Sequence, residues 1–381
     1  MNFDSKVIYG GISDDPRTGA VSVPIYQTST YRQPAPGEPK EYEYSRTGNP
    51  TRRALEELIV DLEEGERGFA FSSGMAAIST VLLLFQSGDH LILSDDVYGG
   101  TFRVVEKVFS QQGLQYSFVD TSEPENIQRA IRPETKAIFI ETPTNPLLKI
   151  TDIAAVAEIS KAEELLLIVD NTFMTPYLQQ PLTLGADIVV HSATKYLGGH
   201  SDLVAGLAVT SSEELGDRLH FLQNSVGAIL SPQDSWLLQR GIKTLSLRMA
   251  RHQENAEKLA SWLKEHSEVD KVYYPGLKEH PGHRINKKQA AGGGGMISFT
   301  TTSPEAAQNL LKKVEMITLA ESLGGVESLI SLPAAMTHAS IPAEKREKLG
   351  ITDSLVRLSV GIEDYNDLQQ DLDRGLTEVK N

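Results

Sequence analysis

Residues 191–202 read HSATKYLGGHSD. Three apolar, β-branched residues, Ile188, Val189 and Val190, run into this stretch, and a single lysine, Lys195, follows among small polar residues. The apolar run has the texture of a buried strand, and in open α/β sheets ligands bind just beyond the carboxyl ends of the strands. A lysine at the mouth of such a sheet, near other positive groups, loses ammonium character and becomes a nucleophile. The plainer reading is a surface lysine. A P-loop lysine is excluded, because G-x-x-x-x-G-K-[ST] does not occur here. His191 and His200 show no metal-ligand spacing and are read as structural, and no metal is expected.

Outward from this point the chain alternates. Short apolar runs occur at HLILS, YSFVD, KAIFIE, LLLIVD, ADIVVH and GLAVT, separated by helical stretches such as MAAISTVLLLF, TFRVVEKVFSQQG and ITDIAAVAEISKA. This pattern predicts an α/β fold, a mostly parallel sheet with helices on both faces. Beyond about residue 245 a long amphipathic stretch leads to KVYYP, GMISFTTT and VRLSVGI, with PEAAQNLLKKV between them, which predicts a smaller α+β C-terminal domain. Before residue 51 the chain is rich in Pro, Gly, Thr and Tyr and keeps no period for long. Its tyrosines argue against disorder, so it is read as an arm packed on another subunit. The helix TRRALEELIVDLEE then places Leu55, Leu58, Ile59 and Leu62 on one face. The expected organisation is an arm over 1–50, a large domain over 51–245 and a C-terminal domain over 246–381.

The residues just beyond each run carry the chemistry. The run GFAF ends in SSGMAA, which offers Ser73, a glycine and successive N–H groups at a helix N-terminus. That is a cradle for phosphate or, equally, an ordinary N-cap. Asp170 closes LLLIVD, where a buried carboxylate must be paired. It is either a structural ion pair or cap, or the partner of a protonated ring nitrogen. Tyr98 could stack on a flat ligand or be a half-buried tyrosine. Ser192 and Thr194 flank Lys195 with hydroxyls within reach of a phosphate.

Composition narrows the classes. The chain has 381 residues, 23% of them charged, a net charge of −15 and no cysteine. No basic stripe suits a nucleic acid, no apolar run approaches a membrane span, and no disulfide framework exists. The first residues, MNFDSKVIYGG, lack the apolar core of a signal peptide, so the expected location is the cytoplasm. Cationic residues in loops, Arg46 and Arg357 among them, stand out against this acidic background.

Taken together, YSRTGNPT (44–51), FSSGMAA (71–77), DDVYGGT (95–101), ETPTNP (141–146), VDNTF (169–173), HSATKYLGGHSD (191–202), AESLGGVESL (320–329), PAAMTHAS (333–340) and RLSVGIED (357–364) span nearly the whole chain. They resemble the pyridoxal-phosphate enzymes of cysteine and methionine metabolism, the trans-sulfuration enzymes, and in particular the cystathionine γ-lyases and γ-synthases. The resemblance implies a fold type I pyridoxal-phosphate-dependent transferase-like fold, with pyridoxal 5'-phosphate as cofactor. It assigns Lys195 to covalent attachment of the cofactor, Asp170 to the ring nitrogen and Tyr98 to the ring face. Gly74, Met75, Ser192 and Thr194 would bind the phosphate beside Ser73. Tyr44 and Arg46 would reach the phosphate of the neighbouring subunit in a homotetramer built from catalytic dimers. Arg357 would clamp the substrate α-carboxylate, Asn145 would sit near the cofactor oxygen or that carboxylate, and Ser322 would steer the Lys195 amine.

Within that family Gly100 departs from the methionine γ-lyases, which carry cysteine there. Glu321 departs from cystathionine β-lyases, which place tyrosine there. Glu321, and Glu43 from a neighbouring subunit, could meet the distal ammonium of a substrate that is an amino acid at both ends; either could also be a solvated glutamate. The expectation is α,γ-elimination on L-cystathionine giving L-cysteine, 2-oxobutanoate and ammonia, with hydrogen sulfide release from cysteine or homocysteine as a further activity of some relatives. γ-Replacement on an activated homoserine ester, as in γ-synthases, is the alternative. A nicotinamide oxidoreductase fails because SSGMAA is no G-x-G-x-x-G. A non-catalytic metabolite sensor should have lost Lys195 or gained a DNA-binding segment, and neither is seen.

Overall fold

The computed structural model of the chain describes residues 1–11, 15, 17–337, 339 and 343–377. Residues 338 and 340 of the PAAMTHAS motif and the last four residues of the C-terminal domain therefore lie outside the described residues. Each short apolar run of the large domain becomes a strand: β1 (Arg67–Phe71), β2 (His90–Ser94), β3 (Gln115–Val119), β4 (Thr135–Glu141), β5 (Leu166–Asp170), β6 (Ile188–Ser192) and β7 (Gly206–Thr210). They form one sheet in the order β1-β7-β6-β5-β4-β2-β3, in which β7 alone runs against the rest. The central strands are continuous apolar runs because helices cover both faces. Helices Gly74–Leu82, Gly99–Lys107 and Glu213–Val226 pack on one face through Ile78, Val81, Phe102 and Leu219. Helix Ile153–Ala162 packs on the other through Ile153 and Val156.

The helix read from TRRALEELIVDLEE runs Pro50–Glu63. Asn49 caps it by accepting from the Thr51 N–H at 3.0 Å, and Pro50 suits its first turn. The four apolar positions read from its period, Leu55, Leu58, Ile59 and Leu62, are all buried, each worth about 1.5–3 kcal/mol relative to exposure.

The arm differs from a featureless one. Its first residues form a helix, Phe3–Tyr9, whose Val7 sits in the core with Leu58 and whose Lys6 bonds Glu64 at 3.1 Å. Seven residues with one buried position are too few to show a period. Further on, the Asn49 side chain donates to the Tyr26 carbonyl at 2.9 Å, and the buried Arg52 donates to the carbonyls of Ser45 (2.7 Å) and Arg46 (3.2 Å). The arm is thus tied to its own chain at both ends.

A second sheet has the order β10-β11-β12-β9-β8, from β8 (Val269–Tyr273), β9 (Met296–Thr301), β10 (Thr318–Leu319), β11 (Leu329–Ser331) and β12 (Leu355–Ser359). Helices Pro304–Lys313 and Tyr365–Leu376 cover it. The two short strands β10 and β11 gave no pattern to read. Helix Leu245–Lys264 belongs to both bodies: Leu245 and Met249 lie in the core with Leu55 and Leu238, while Ala256, Leu259 and Leu263 lie in the core of the smaller sheet. Among the described residues no helix is long and apolar enough to cross a membrane.

Candidate active site

Six strands of the large sheet share one direction, so their carboxyl ends collect on one edge. A cavity of about 350 Å³ opens there, lined by residues of both sheets. Of the residues singled out from the sequence, Ser73, Gly74, Met75, Tyr98, Asn145, Asp170, Ser192, Thr194, Lys195, Glu321, Ser322 and Arg357 line it. Glu43, Tyr44 and Arg46 do not; all three are exposed on the arm, with the Arg46 guanidinium stacked 5.6 Å from the Tyr44 ring centroid.

Lys195 lies just past β6. Its Nζ donates to the Ser322 hydroxyl at 2.7 Å, and Ser322 holds a left-handed φ of 88°. A serine there is strained by about 1–3 kcal/mol, held by the packing around it. Burial, then the Arg357 charge, lower the Lys195 amine to about 8, against a smaller opposing pull from Glu321. The lysine turn is anchored from below by Arg248, a buried guanidinium that donates to the carbonyls of Tyr196 (2.6 Å) and Gly241 (2.9 Å) and lies against Gly199.

Asp170 is 7% exposed and ends β5. Its Oδ1 accepts from the Thr172 N–H (3.0 Å) and hydroxyl (2.5 Å), and burial raises its pKa despite those bonds. The Thr172 hydroxyl also accepts the Ser192 N–H at 2.8 Å, linking the ends of β5 and β6. Ser73 is the N-cap of helix Gly74–Leu82, its hydroxyl accepting from Ala76 at 3.0 Å. The N–H groups of Gly74 and Met75 have no intrahelical acceptor and border the cavity. A Cβ at Gly74 would fall 2.8 Å from Ser192 Cβ, so glycine brings the helix N-terminus against the Ser192 turn. The Thr194 hydroxyl is engaged with Ala205, donating to its carbonyl at 3.2 Å and accepting its N–H at 3.0 Å.

Across the cavity Arg357, 3% exposed on β12, donates to Asn145 Oδ1 at 2.9 Å and to the Ser322 carbonyl at 3.0 Å. Burial lowers it to about 10, so it stays charged at neutral pH. Asn145 lies in a segment with two cis prolyl bonds, at Thr142–Pro143 and Asn145–Pro146. Glu321 is exposed at the rim. His191 faces away from the cavity, bonded to the buried Glu63 at 2.6 Å, and His200 bonds the Gly198 carbonyl at 2.7 Å. The sequence reading missed Glu141, a buried carboxyl in the cavity wall, along with Thr172 and Arg248. Glu141 ends the buried run KAIFIE just as Asp170 ends LLLIVD, and the same signal would have found it.

A phosphorylated pyridine aldehyde meets its requirements at every end of this cavity. The helix N-terminus, pressed against Ser192, offers N–H groups to an anion. The buried Asp170 suits a cationic partner, and Lys195 carries an amine whose pKa is lowered to about 8. The class defined by this fold is the pyridoxal-phosphate-dependent enzymes, and the cofactor is pyridoxal 5'-phosphate. Comparison with known proteins narrows the class. A family model described as Cys/Met metabolism PLP-dependent enzyme matches residues 4–377, and the chain belongs to that family, as a carbon–sulfur lyase. It is 63% identical to the cystathionine γ-lyase of Bacillus subtilis (strain 168) over 379 residues, 100% of each chain to the nearest per cent. It is 62% identical to the cystathionine β-lyase of Lactococcus lactis subsp. cremoris (strain MG1363) over 372 residues, 98% of each. A crystal structure of cystathionine γ-lyase from Lactobacillus plantarum complexed with L-serine superposes with a TM-score of 0.96, at 54% identity and 98% coverage of both chains.

Proposed function

We propose that the enzyme carries out α,γ-elimination on L-cystathionine, giving L-cysteine, 2-oxobutanoate and ammonia. The observation that carries the substrate is the pairing of opposite charges on one wall, the buried Arg357 for an α-carboxylate and Glu321 at the rim for a distal ammonium. The choice of the Cγ–S bond is supported by likeness to proteins named γ-lyase. When bound, the cofactor supplies an electron sink for the pair left at Cα. In this reading Lys195 holds the cofactor covalently, Asp170 pairs with its ring nitrogen, and Tyr98 covers its face. Gly74, Met75 and Ser192 bind the phosphate, with Thr194 turning its hydroxyl from Ala205 to join them. Arg357, oriented by Asn145 and the Ser322 carbonyl, grips the substrate carboxylate bidentately.

Lys195 Nζ, freed by the substrate amine, would take the Cα proton, give it up again to the electron-rich conjugated system, and, neutral once more, take a Cβ proton. An amine whose pKa is lowered to about 8 can both accept and release a proton. Ser322 aims it by the hydrogen bond already formed. Tyr98 hands a proton to the departing sulfur. Tyr44, Arg46 and Glu43, exposed and outside their own cavity, serve the neighbouring site in a cytoplasmic homotetramer of two catalytic dimers.

The near-equal likeness to proteins named γ-lyase and β-lyase makes β-elimination the competing reading. Product analysis separates them. With cystathionine alone, cysteine and 2-oxobutanoate are expected; homocysteine and pyruvate would overturn the γ-reading. Net formation of cystathionine from a homoserine ester and cysteine, faster than its breakdown, would shift the assignment to γ-replacement.

A further inference from the structure

Three buried carboxyl groups stand in a row along the edge of the large sheet, at the ends of neighbouring strands. Asp170 closes β5, Glu141 closes β4 and Asp96 follows β2 by two residues. Glu141 and Asp170 are register partners across β4 and β5. Asp96 Oδ2 accepts the Thr144 hydroxyl at 2.7 Å and the Leu147 N–H at 3.3 Å, while its Oδ1 has no partner. Glu141 is 5% exposed, and its Oε2 accepts the backbone N–H of Tyr98 at 2.8 Å. Tyr98 is the N-cap of helix Gly99–Lys107 and makes no capping bond with its own side chain, so this carboxyl fixes the turn into the helix. The ring follows the turn closely: a Cβ at Gly100 would come 2.4 Å from Tyr98 Cε1 and 2.9 Å from Met75 Sδ.

Groups facing Glu141 come from every side: Asp170 from β5, Asp96 from beyond β2, Arg357 from β12 and the Tyr98 turn itself. Glu141 has two carboxyl neighbours, Asp170 and Asp96, and one guanidinium, Arg357, while the Lys149 ammonium near Asp96 is bonded to Asp95 and Asp120. Carboxyls so crowded do not all ionise. Asp170 is needed as an anion opposite a protonated ring nitrogen. Burial, and then the neighbouring Asp170, push Glu141 well above the usual carboxylate range, and burial raises Asp96 to about 7.

We propose that Glu141 is a positioning residue of this site: through the Tyr98 N–H it sets where the Tyr98 ring lies over the cofactor. The inference rests on the assignment of Tyr98 to the cofactor face and is independent of which sulfur bond is broken. A protonated carboxyl keeps its carbonyl oxygen to accept the N–H, and so does a glutamine. Ionisation would instead place a second negative charge beside Asp170.

The test is circular dichroism in the cofactor's visible band, per bound cofactor, on substrate-free holoenzymes from pH 7 to 10. Tyr98→Ala reports whether the ring shapes the band at all; an unchanged band would remove the Tyr98 assignment and the inference with it. Given that signal, Glu141→Ala should lose most of the ellipticity at full cofactor loading and drop kcat/KM by about 10–100-fold. The unaltered enzyme is expected to lose ellipticity per unit absorbance towards pH 10, beyond the absorbance shift of the lysine–cofactor imine itself. Glu141→Gln should keep the neutral-pH band and lack that loss. An Ala variant with the unaltered band, or a Gln variant that repeats the alkaline change, would overturn the proposal. If the Ala variant does not fold, the Gln comparison alone decides.

Discussion

The two walls of the cavity are built differently. On one side Asp170, Ser192 and Lys195 sit on or just past strands of the large sheet, and bonds such as Thr172 to Ser192 tie one strand end to the next. On the other side Glu321 and Ser322 lie in a loop leading to β11, and only Arg357 is on a strand. The sheet wall is dictated by backbone pairing and leaves little freedom. The loop wall is held by a few hydrogen bonds, those of Arg357 to Asn145 and to the Ser322 carbonyl foremost. In the proposed reaction the cofactor is held by the first wall and the substrate's two charged ends are met by the second, with Ser322 reaching across to Lys195.

This contrast can be broken experimentally. Lys195→Ala should lower turnover by on the order of 10⁴, while cofactor still binds reversibly through Asp170 and the helix N-terminus. Borohydride reduction followed by intact mass should then find no covalent cofactor; near-normal turnover would remove Lys195 from the mechanism. Arg357→Lys keeps the charge and loses the fork, so KM for amino-acid substrates should rise by about 100-fold with the cofactor absorbance unchanged. A changed cofactor spectrum would mean the walls are not separable.

The amine of Lys195 reacts only when neutral. With its pKa lowered to about 8, the rate of covalent cofactor attachment to the cofactor-free protein should rise by about tenfold from pH 7 to 9 and level off above. A rate still climbing steeply past pH 10 would show an ordinary lysine. The smallest effect is expected at the rim. Because Glu321 is exposed, Glu321→Ala should weaken cystathionine by about fivefold relative to cysteine, read as a ratio of kcat/KM values. Equal losses on both substrates would discount a distal role.

The sheet wall was legible in the sequence because a buried parallel strand is a continuous apolar run, and whatever polar residue ends it stands out. Asp170 and Lys195 were found in this way. Glu141 was passed over because it was counted as the last residue of KAIFIE rather than as the group ending it. Arg248 left no signal: it lies in the first turn of its helix with ordinary spacing, and its bond to the lysine turn goes to the Tyr196 carbonyl, 52 residues away in sequence. On the opposite wall Arg357 stood out as a cation in an acidic chain, though it lies on β12 and not in a loop. Glu321 and Ser322 were readable only through family resemblance, since a loop such as AESLGG has no period that reports where it folds back. The arm was read as irregular, but its ties, from Asn49 to the Tyr26 carbonyl and from Arg52 to the Ser45 carbonyl, are side-chain bonds that composition does not reveal.

Helix Leu245–Lys264 gives its first turns to one hydrophobic core and its later turns to the other. A boundary drawn at its start divides the sheets and leaves the stitching between them on one side of the cut. A chimera that exchanged the substrate wall with that of a relative would have to carry the whole helix, together with the residues that receive its first turns. The two halves of this enzyme therefore form a fitted pair, not interchangeable parts.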